Sequence, residues 1–431
     1  MAPEQKKLIV VGAGPMGLAA AYFAAKAGWT VEVLEAGDRP GGMAAHFDFD
    51  GLSLERFYHF CCRSDVDTSA LLAELGLPPI RWAPTKMGFF VDGRLYPWGD
   101  PIALLRFPLL SLVEKVRYGL QAFLSIKRSD WRRLDQLSAS DWIKAWCGER
   151  VYNKLWRPLL ELKFYEHAQS VSAAWVWQRI KRLGKSRRSL FQEELGYIEG
   201  GSEALVVALV SAIEKMGGRV HVSTPARRFI IEDGKVAGVE TAAGEQVRAD
   251  QVISTIALPY VTPMLDAEPE LRQRYEGFEN VGVVCVIHHL ARSVTPNFWV
   301  NISDPNINVP GFVEFSNLRP LERTIVYVPY YMPTTNPAFG RPDEVFVEES
   351  FAHLRRVNPQ LTPGDLLGSR VARLKHAQPV CDQNFAARLP PAKTAITGLQ
   401  IADTSFYYPE DRGVSESIAF AKRMVADLPG D

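Results

Sequence analysis

An α/β fold is the class this sequence predicts, with a parallel-sheet nucleotide-binding unit joined to an α+β second part. Three observations carry the expectation. Residues 8–11, Leu-Ile-Val-Val, form an unbroken aliphatic run of the kind buried in parallel sheets. Gly12, Gly14 and Gly17 follow at G-x-G-x-x-G spacing and open a helix of small residues. Strand and helix patterns of the same kind return far downstream, so the nucleotide-binding unit reads as discontinuous. It takes residues 1–75, 195–257 and 378–431, and the second part takes 76–194 and 258–377.

The first unit explains itself residue by residue. Gly12 permits the tight turn out of the strand. Gly14 has no Cβ to keep a pyrophosphate from the backbone. Gly17 allows the helix to pack closely on the sheet. Ala13, Pro15 and Met16 complete the turn, and Pro15 suits a first helical position. The helix N-terminus offers free N–H groups and a positive dipole end to phosphate. It runs through Leu18, Ala19, Ala20, Ala21 and Ala24 to a stop at Gly28. The second strand, 30–34, ends at Glu35, 18 residues beyond Gly17. A carboxylate there accepts from a ribose diol and repels a 2′-phosphate, which leaves FAD or NAD and disfavours NADP.

Downstream, residues 47–55 alternate around Asp50-Gly51 and read as a hairpin or short strands, followed by Arg56-Phe57-Tyr58-His59-Phe60. A helical pattern over 67–75 stops at Gly76. Residues 87–98 read as a hairpin turning at Asp92-Gly93. From about 100 to 190 the pattern is helical, with segments at 104–126 and 138–146 and a high density of tryptophan. Ser202 is an expected N-cap for the returning helix. A strand at 219–222, a meander with turns at Asp233-Gly234 and Ala243-Gly244, and a buried strand at 252–255 follow. Strands at 281–288, 311–315 and 324–328 and a helix over 343–356 belong to the second excursion. A last strand within 395–403 and a helix from Gly413 to Leu428 close the chain.

Arg39-Pro40-Gly41-Gly42 after Glu35, and Ile401-Ala402-Asp403 with Gly413-Val414-Ser415 near the end, resemble the motifs of the flavin amine oxidase superfamily. The likeness is to its protoporphyrinogen-oxidase-like and phytoene-desaturase-like branch. The resemblance implies a Rossmann-like, GR2-type FAD-binding domain, with FAD as the cofactor. It also implies cofactor contacts from Gly12 to Gly17, Glu35, Ala36, Arg39, Gly41, Gly42 and Met43, then Ala226, Thr255, Asp403, Gly413, Val414 and Ser415. Met43 stands where many members carry Arg or Lys, and Ala402 where they carry Gly. The implied chemistry is oxidation of a C–N or C–C bond of an organic, partly apolar substrate, with oxygen or a quinone-like acceptor reoxidising the flavin. Phe57-Tyr58-His59-Phe60 also resembles a stretch of UDP-galactopyranose mutases, which isomerise a sugar nucleotide without net redox. A flavoprotein that serves only as a binding partner is the third class.

His59 and Tyr58 are candidate catalytic residues, His59 as a base near neutral pH or as a core histidine. Lys163, in an apolar segment, is either functional or paired with Glu161 or Glu166. Arg157, Trp175 and Arg179 are candidate substrate contacts. Six of the ten residues from Arg179 to Arg188 are basic, which suits an anionic substrate, an anionic membrane or plain solvation. The 104–126 segment reads as a bundle helix or as one lying on a membrane. Lys plus Arg and Asp plus Glu are both 49, so global charge gives no argument for nucleic-acid binding. Five cysteines without C-x-x-C spacing suit free thiols in a reducing compartment, and the Cys61-Cys62 pair reads as buried or as a redox dithiol. His288-His289 lack a third ligand, so no metal is expected. With no signal-like segment and no run of roughly 18 apolar residues, a cytoplasmic protein is expected, with peripheral contact at the inner membrane face as the alternative.

Overall fold

In a computed structural model that describes residues 6–49 and 51–429, five parallel strands form one sheet. Their spatial order is Arg219–His221, Thr30–Leu34, Lys7–Val11, Gln251–Ser254 and Leu399–Ile401. Val10 pairs with Val33 on one side and Ile253 on the other. Leu8, Ile9 and Val10 are 0% exposed: helices pack on the parallel sheet, and the antiparallel sheet of Ala226–Glu232, Lys235–Thr241 and Gln246–Arg248 also packs against it. The helix Pro15–Lys26 packs against Val414–Ala426 and Ser202–Lys215 through its buried Ala19, Ala20, Ala21 and Ala24. Met1–Gln5 and Asp50, and with Asp50 the expected Asp50-Gly51 turn, lie outside the described residues.

The second sheet, of seven strands among the described residues, runs in the order Leu366–Pro379, Asn280–Leu290, Thr324–Met332, Gly311–Glu314, Trp299–Ser303, Met87–Val91 and Arg94–Trp98. Its second strand in that order, Asn280–Leu290, is flanked on both sides and buried at almost every position. The strand expected to stop at Val328 continues to Met332. Pro329 is tolerated because Gly311–Glu314 pairs only with Val326 and Tyr327, so no ladder bond is lost on that side. This extension delivers Tyr331 to the site described below.

Three other expectations need correction. The single helical segment over 104–126 is two helices, Pro101–Arg106 and Leu112–Lys127. Pro108 lies between them, and Ser111 restarts the second helix with a capping box to Glu114. Ser202 does not cap its helix: Gly201 holds that position at φ +76°, and the Ser202 N–H donates to Glu55 Oε1 at 3.1 Å. The closing helix ends at Ala426 rather than Leu428.

Candidate active site

The first strand and the helix after it meet at a glycine turn with two kinds of glycine. A Cβ on Gly17 would stand 1.9 Å from the Gly12 carbonyl oxygen, so helix and turn touch there. A Cβ on Gly14 would meet nothing within 4 Å. The Gly41 N–H donates to the Ala13 carbonyl at 2.8 Å, and a Cβ on Gly42 would lie 3.1 Å from Gly14 Cα. The two glycine segments therefore line one concavity with backbone alone. Glu35 closes its rim: Oε2 accepts from Ala13 N–H at 2.7 Å and Oε1 from Gly37 N–H at 2.8 Å. Arg39 turns aside and donates to the His46 carbonyl at 2.8 Å.

Met43 leads from this concavity into a cavity of about 580 Å³ that runs between the two sheets and under the helical segment. Gly413 and Val414, at the start of the last helix, form part of its wall. Tyr58, His59, Lys163, Trp175, Arg179, Tyr331 and Arg412 line its inner end. Its outer end reaches the surface at Phe123 and Leu190, which line it yet are 54% and 65% exposed.

The inner end is aromatic and cationic. The Lys163 ammonium lies 4.9 Å from the ring centroids of both Trp175 and Tyr331, and the Arg179 guanidinium lies 4.9 Å from Trp175. Lys163 sits on the short helix Arg157–Phe164, which follows a π-helical turn over Tyr152–Trp156. Pro158 has no N–H to close an ordinary turn there. Burial, then Arg179, pushes the Lys163 amine well below the usual lysine range. Arg179 pairs with Asp411. Arg412 donates to the Ala377 carbonyl at 2.6 Å, to Gln378 Oε1 at 2.8 Å and to the Tyr331 hydroxyl at 3.3 Å. Burial would raise the Asp411 carboxyl, but Arg179, Lys163, Arg412 and Arg182 outweigh it and hold the group well below the usual carboxylate range.

His59 does not titrate near neutrality as expected. Burial, then Arg412, pushes it down to about 4, and its Nδ1 is buried without a hydrogen-bond partner. Tyr58 lies edge-on to Trp299 and Tyr327, and burial raises its phenol well above the usual range. Arg157 is not brought to the cavity: it is half-exposed and pairs with Glu161 one helical turn on. The basic run divides by helix face. Arg179 and Arg182 point inward, Arg182 donating to Asp65 at 2.8 Å, while Lys185 and Arg188 are exposed. Cys61 and Cys62 are buried free thiols, and burial pushes Cys62 up to about 12. Among the described residues no group of three or more His, Cys, Asp or Glu is placed to hold a metal.

A model of the family described as flavin containing amine oxidoreductase matches residues 17–403 of this chain. The chain belongs to that family. It is 23% identical over 397 residues to the 15-cis-phytoene desaturase of Synechococcus elongatus, covering 83% of this chain and 81% of that one. Putrescine oxidase of Kocuria rosea is 30% identical over 149 residues, 32% of this chain and 31% of the other. A solved structure from Exiguobacterium sp. 255-15, carrying a provisional protoporphyrinogen oxidase assignment, superposes with a TM-score of 0.77 at 21% identity, over 98% of each chain.

This flavin-containing amine oxidoreductase is thus an FAD-dependent oxidoreductase, and the residues present fit that cofactor. The open space at Gly14 is a cradle that a Cβ would fill, and it faces the free N–H groups of the Pro15–Lys26 helix. Glu35, with Ala36 beside it, stands where a ribose diol would be held. The loop before Ala226 packs on this corner, with Thr224 N–H donating to the Glu35 carbonyl at 2.7 Å. Gly12 to Gly17, Gly41, Gly42, Met43, Gly413 and Val414 would hold the rest. Thr255 acts from behind, donating to the carbonyls of Val11 at 3.0 Å and Gly12 at 3.2 Å. Asp403 does not line the cavity. Its oxygens accept from Leu258 N–H at 3.0 Å and Ser405 N–H at 2.8 Å, so it ties two turns together. Ser415 is buried and accepts from Thr68 N–H at 3.4 Å. Sequence reasoning missed Tyr331, Asp411 and Arg412. The last two directly precede the glycine that starts the final helix, and that position was the available signal.

Proposed function

We propose that this oxidoreductase dehydrogenates a C–C bond of a large, mostly apolar organic substrate, with oxygen or a quinone-like compound as final acceptor. The carrying observation is the cavity: an aromatic and aliphatic channel that ends in Lys163, Arg179 and Arg412. Bound FAD would supply a hydride acceptor there. The chain supplies exclusion of water, apolar walls for positioning, and a positive inner end. That inner end repels an ammonium group, which disfavours amines and with them C–N oxidation. The same reading supports a discontinuous FAD domain built around the parallel sheet, with the seven-stranded sheet and the helical segment forming the substrate side.

The outer end supports entry from a lipid surface. Leu112, Val113, Val116, Leu120, Phe123 and Leu124 make an exposed stripe on one helix, beside exposed Ile102, Leu105, Leu190 and Phe191. Exposed Arg106, Lys127, Arg128 and Arg188 border it, which suits an anionic bilayer. No helix among the described residues is long and apolar enough to cross a membrane. The sugar-nucleotide isomerase alternative draws less support, because of the three arginines it needs for a pyrophosphate Arg157 faces outward and Arg182 is already paired to Asp65.

The test is anaerobic bleaching of the flavin band by apolar polyenes and related hydrocarbons, in parent protein and in Gly119→Trp. Gly119 lines the cavity from the exposed helix. Bleaching by an apolar substrate that Gly119→Trp abolishes, with FAD content unchanged, supports the reading. Bleaching only by amines would refute it.

A further inference from the structure

Three basic side chains meet at the inner end of the cavity with one carboxylate among them. Lys163, Arg179 and Arg412 all act on Asp411, and only Arg179 forms a direct ion pair with it. Arg412 spends its N–H groups on two neutral oxygens and a phenol. Lys163 is the least satisfied. Among the described residues its ammonium has no ion pair and no hydrogen bond, only the ring faces of Phe164, Trp175 and Tyr331. The surface that it retains opens on the cavity. The remaining cavity cations are spoken for: Arg182 by Asp65, and Arg187 by the carbonyls of Gly99 and Leu190.

Stacked rings hold a cation in place but do not neutralise it, and a buried unpaired charge is costly. Such a cluster gains most from an entering oxyanion, which finds charge-assisted donors already oriented. Asp411 sits among the three cations but takes a direct ion pair from Arg179 alone, so the Lys163 ammonium keeps all three of its donors. The ring of Trp175 and the phenols of Tyr331 and Tyr58 flank the spot. The apolar channel leads away from it to Phe123 and Leu190.

We propose that Lys163, Arg179 and Arg412 form a receptor for one anionic oxygen group of the substrate, whose apolar body then lies along the channel. This rests on the apolar-substrate reading above and narrows it to amphipathic anions.

The experiment titrates FAD-loaded protein with dodecanoate, dodecanol and dodecylamine and follows the flavin absorbance and the tryptophan fluorescence. Dodecanoate is expected to bind at least tenfold more tightly than dodecanol, and dodecylamine more weakly than both. Lys163→Met should weaken dodecanoate at least tenfold while leaving dodecanol binding and FAD content unchanged, and Lys163→Arg should keep the preference for dodecanoate. Equal binding of all three chains overturns the anion receptor and leaves the apolar channel standing. Failure of every chain to bind overturns both. Loss of FAD from Lys163→Met would assign the cluster to the cofactor and overturn the proposal as well.

Discussion

Gly14 and Gly17 lie three residues apart, yet the same substitution should act on them in opposite ways. In Gly17→Ala the new Cβ starts 1.9 Å from the Gly12 carbonyl oxygen, against 3.4 Å or more for ordinary contact. The helix start must retreat by about 1.5 Å, because the nearest obstructing atom is backbone of the turn itself and the next, Thr255 Oγ1 at 2.8 Å, is hydrogen-bonded to that turn. Overpacking of this kind costs about 1–3 kcal/mol or more, offset by at most about 1 kcal/mol from alanine's better helix propensity. A net loss of about 2 kcal/mol follows. At about 2.1 cal/mol/K per residue, a chain of 431 residues loses about 1 °C of Tm per kcal/mol, so the apo-protein should melt about 2 °C lower. In Gly14→Ala the backbone, at φ −70°, suits alanine and the Cβ meets no atom. Apo stability should stay within about 1 kcal/mol of the parent. FAD affinity should fall at least tenfold, about 1.4 kcal/mol, because the methyl group occupies the space the cofactor needs. The assay is thermal melting of both apo-variants with FAD titration followed by flavin fluorescence. A Gly14→Ala protein that holds FAD as tightly as the parent, or that melts with Gly17→Ala, would refute the reasoning.

Three further outcomes are expected. Trp177 is 1% exposed and its Nε1 donates to the Ser125 carbonyl at 2.9 Å, joining the 173–185 helix to the 112–127 helix. Trp177→Phe should therefore cost about 2–3 kcal/mol in urea unfolding, and a change below half that would show the junction to be loose. Burial pushes the Glu314 carboxyl up to about 7 while its Oε2 accepts from Thr295 N–H at 2.9 Å. Because the folded state keeps a proton that the unfolded chain releases, this group withdraws up to about 3 kcal/mol of stability as pH rises from its ordinary range through 7. Glu314→Gln should gain that much on the parent between pH 4.5 and 8, and parallel pH curves for the two proteins would sink the assignment. The Cys61 and Cys62 thiols, raised by burial, should resist alkylation at pH 8 until the protein is unfolded, and rapid labelling of the native state would count against their buried placement.

The nucleotide-binding strand–turn–helix was legible because its information is local. Gly12, Gly14, Gly17 and Glu35 act within one βαβ unit, and their spacing alone states the geometry. The inner end of the cavity was not legible in that way. Lys163, Arg179, Tyr331 and Arg412 come from four separate elements, and no spacing links them. Arg179 stood in the sequence as one of six basic residues in a run. Only the 3.6-residue turn of the 173–185 helix separates it and Arg182 from their exposed neighbours. Tyr331 was hidden behind Pro329, which reads as the end of a strand unless the neighbouring strand is known to stop first. His59 was noticed for its chemistry, but its basicity depends on burial and on Arg412, more than 350 residues away.

The parallel sheet also sets a timetable for biosynthesis. Its strand at Gln251–Ser254 needs Leu399–Ile401 as a neighbour, while the opposite wall of the cofactor cradle is made by Val414–Ala426. The glycine turn leaves the ribosome early and waits for these partners. At roughly 5–20 residues per second the delay is roughly 20–80 s. During it an apolar flank stays unpaired, first on Leu8–Val11 until Gln251–Ser254 is made and then on Gln251–Ser254 itself, which is a hazard for misassembly. Flavin capture therefore waits for residues far downstream of the glycine turn, and a nascent chain stalled before residue 399 should carry no flavin however long it waits.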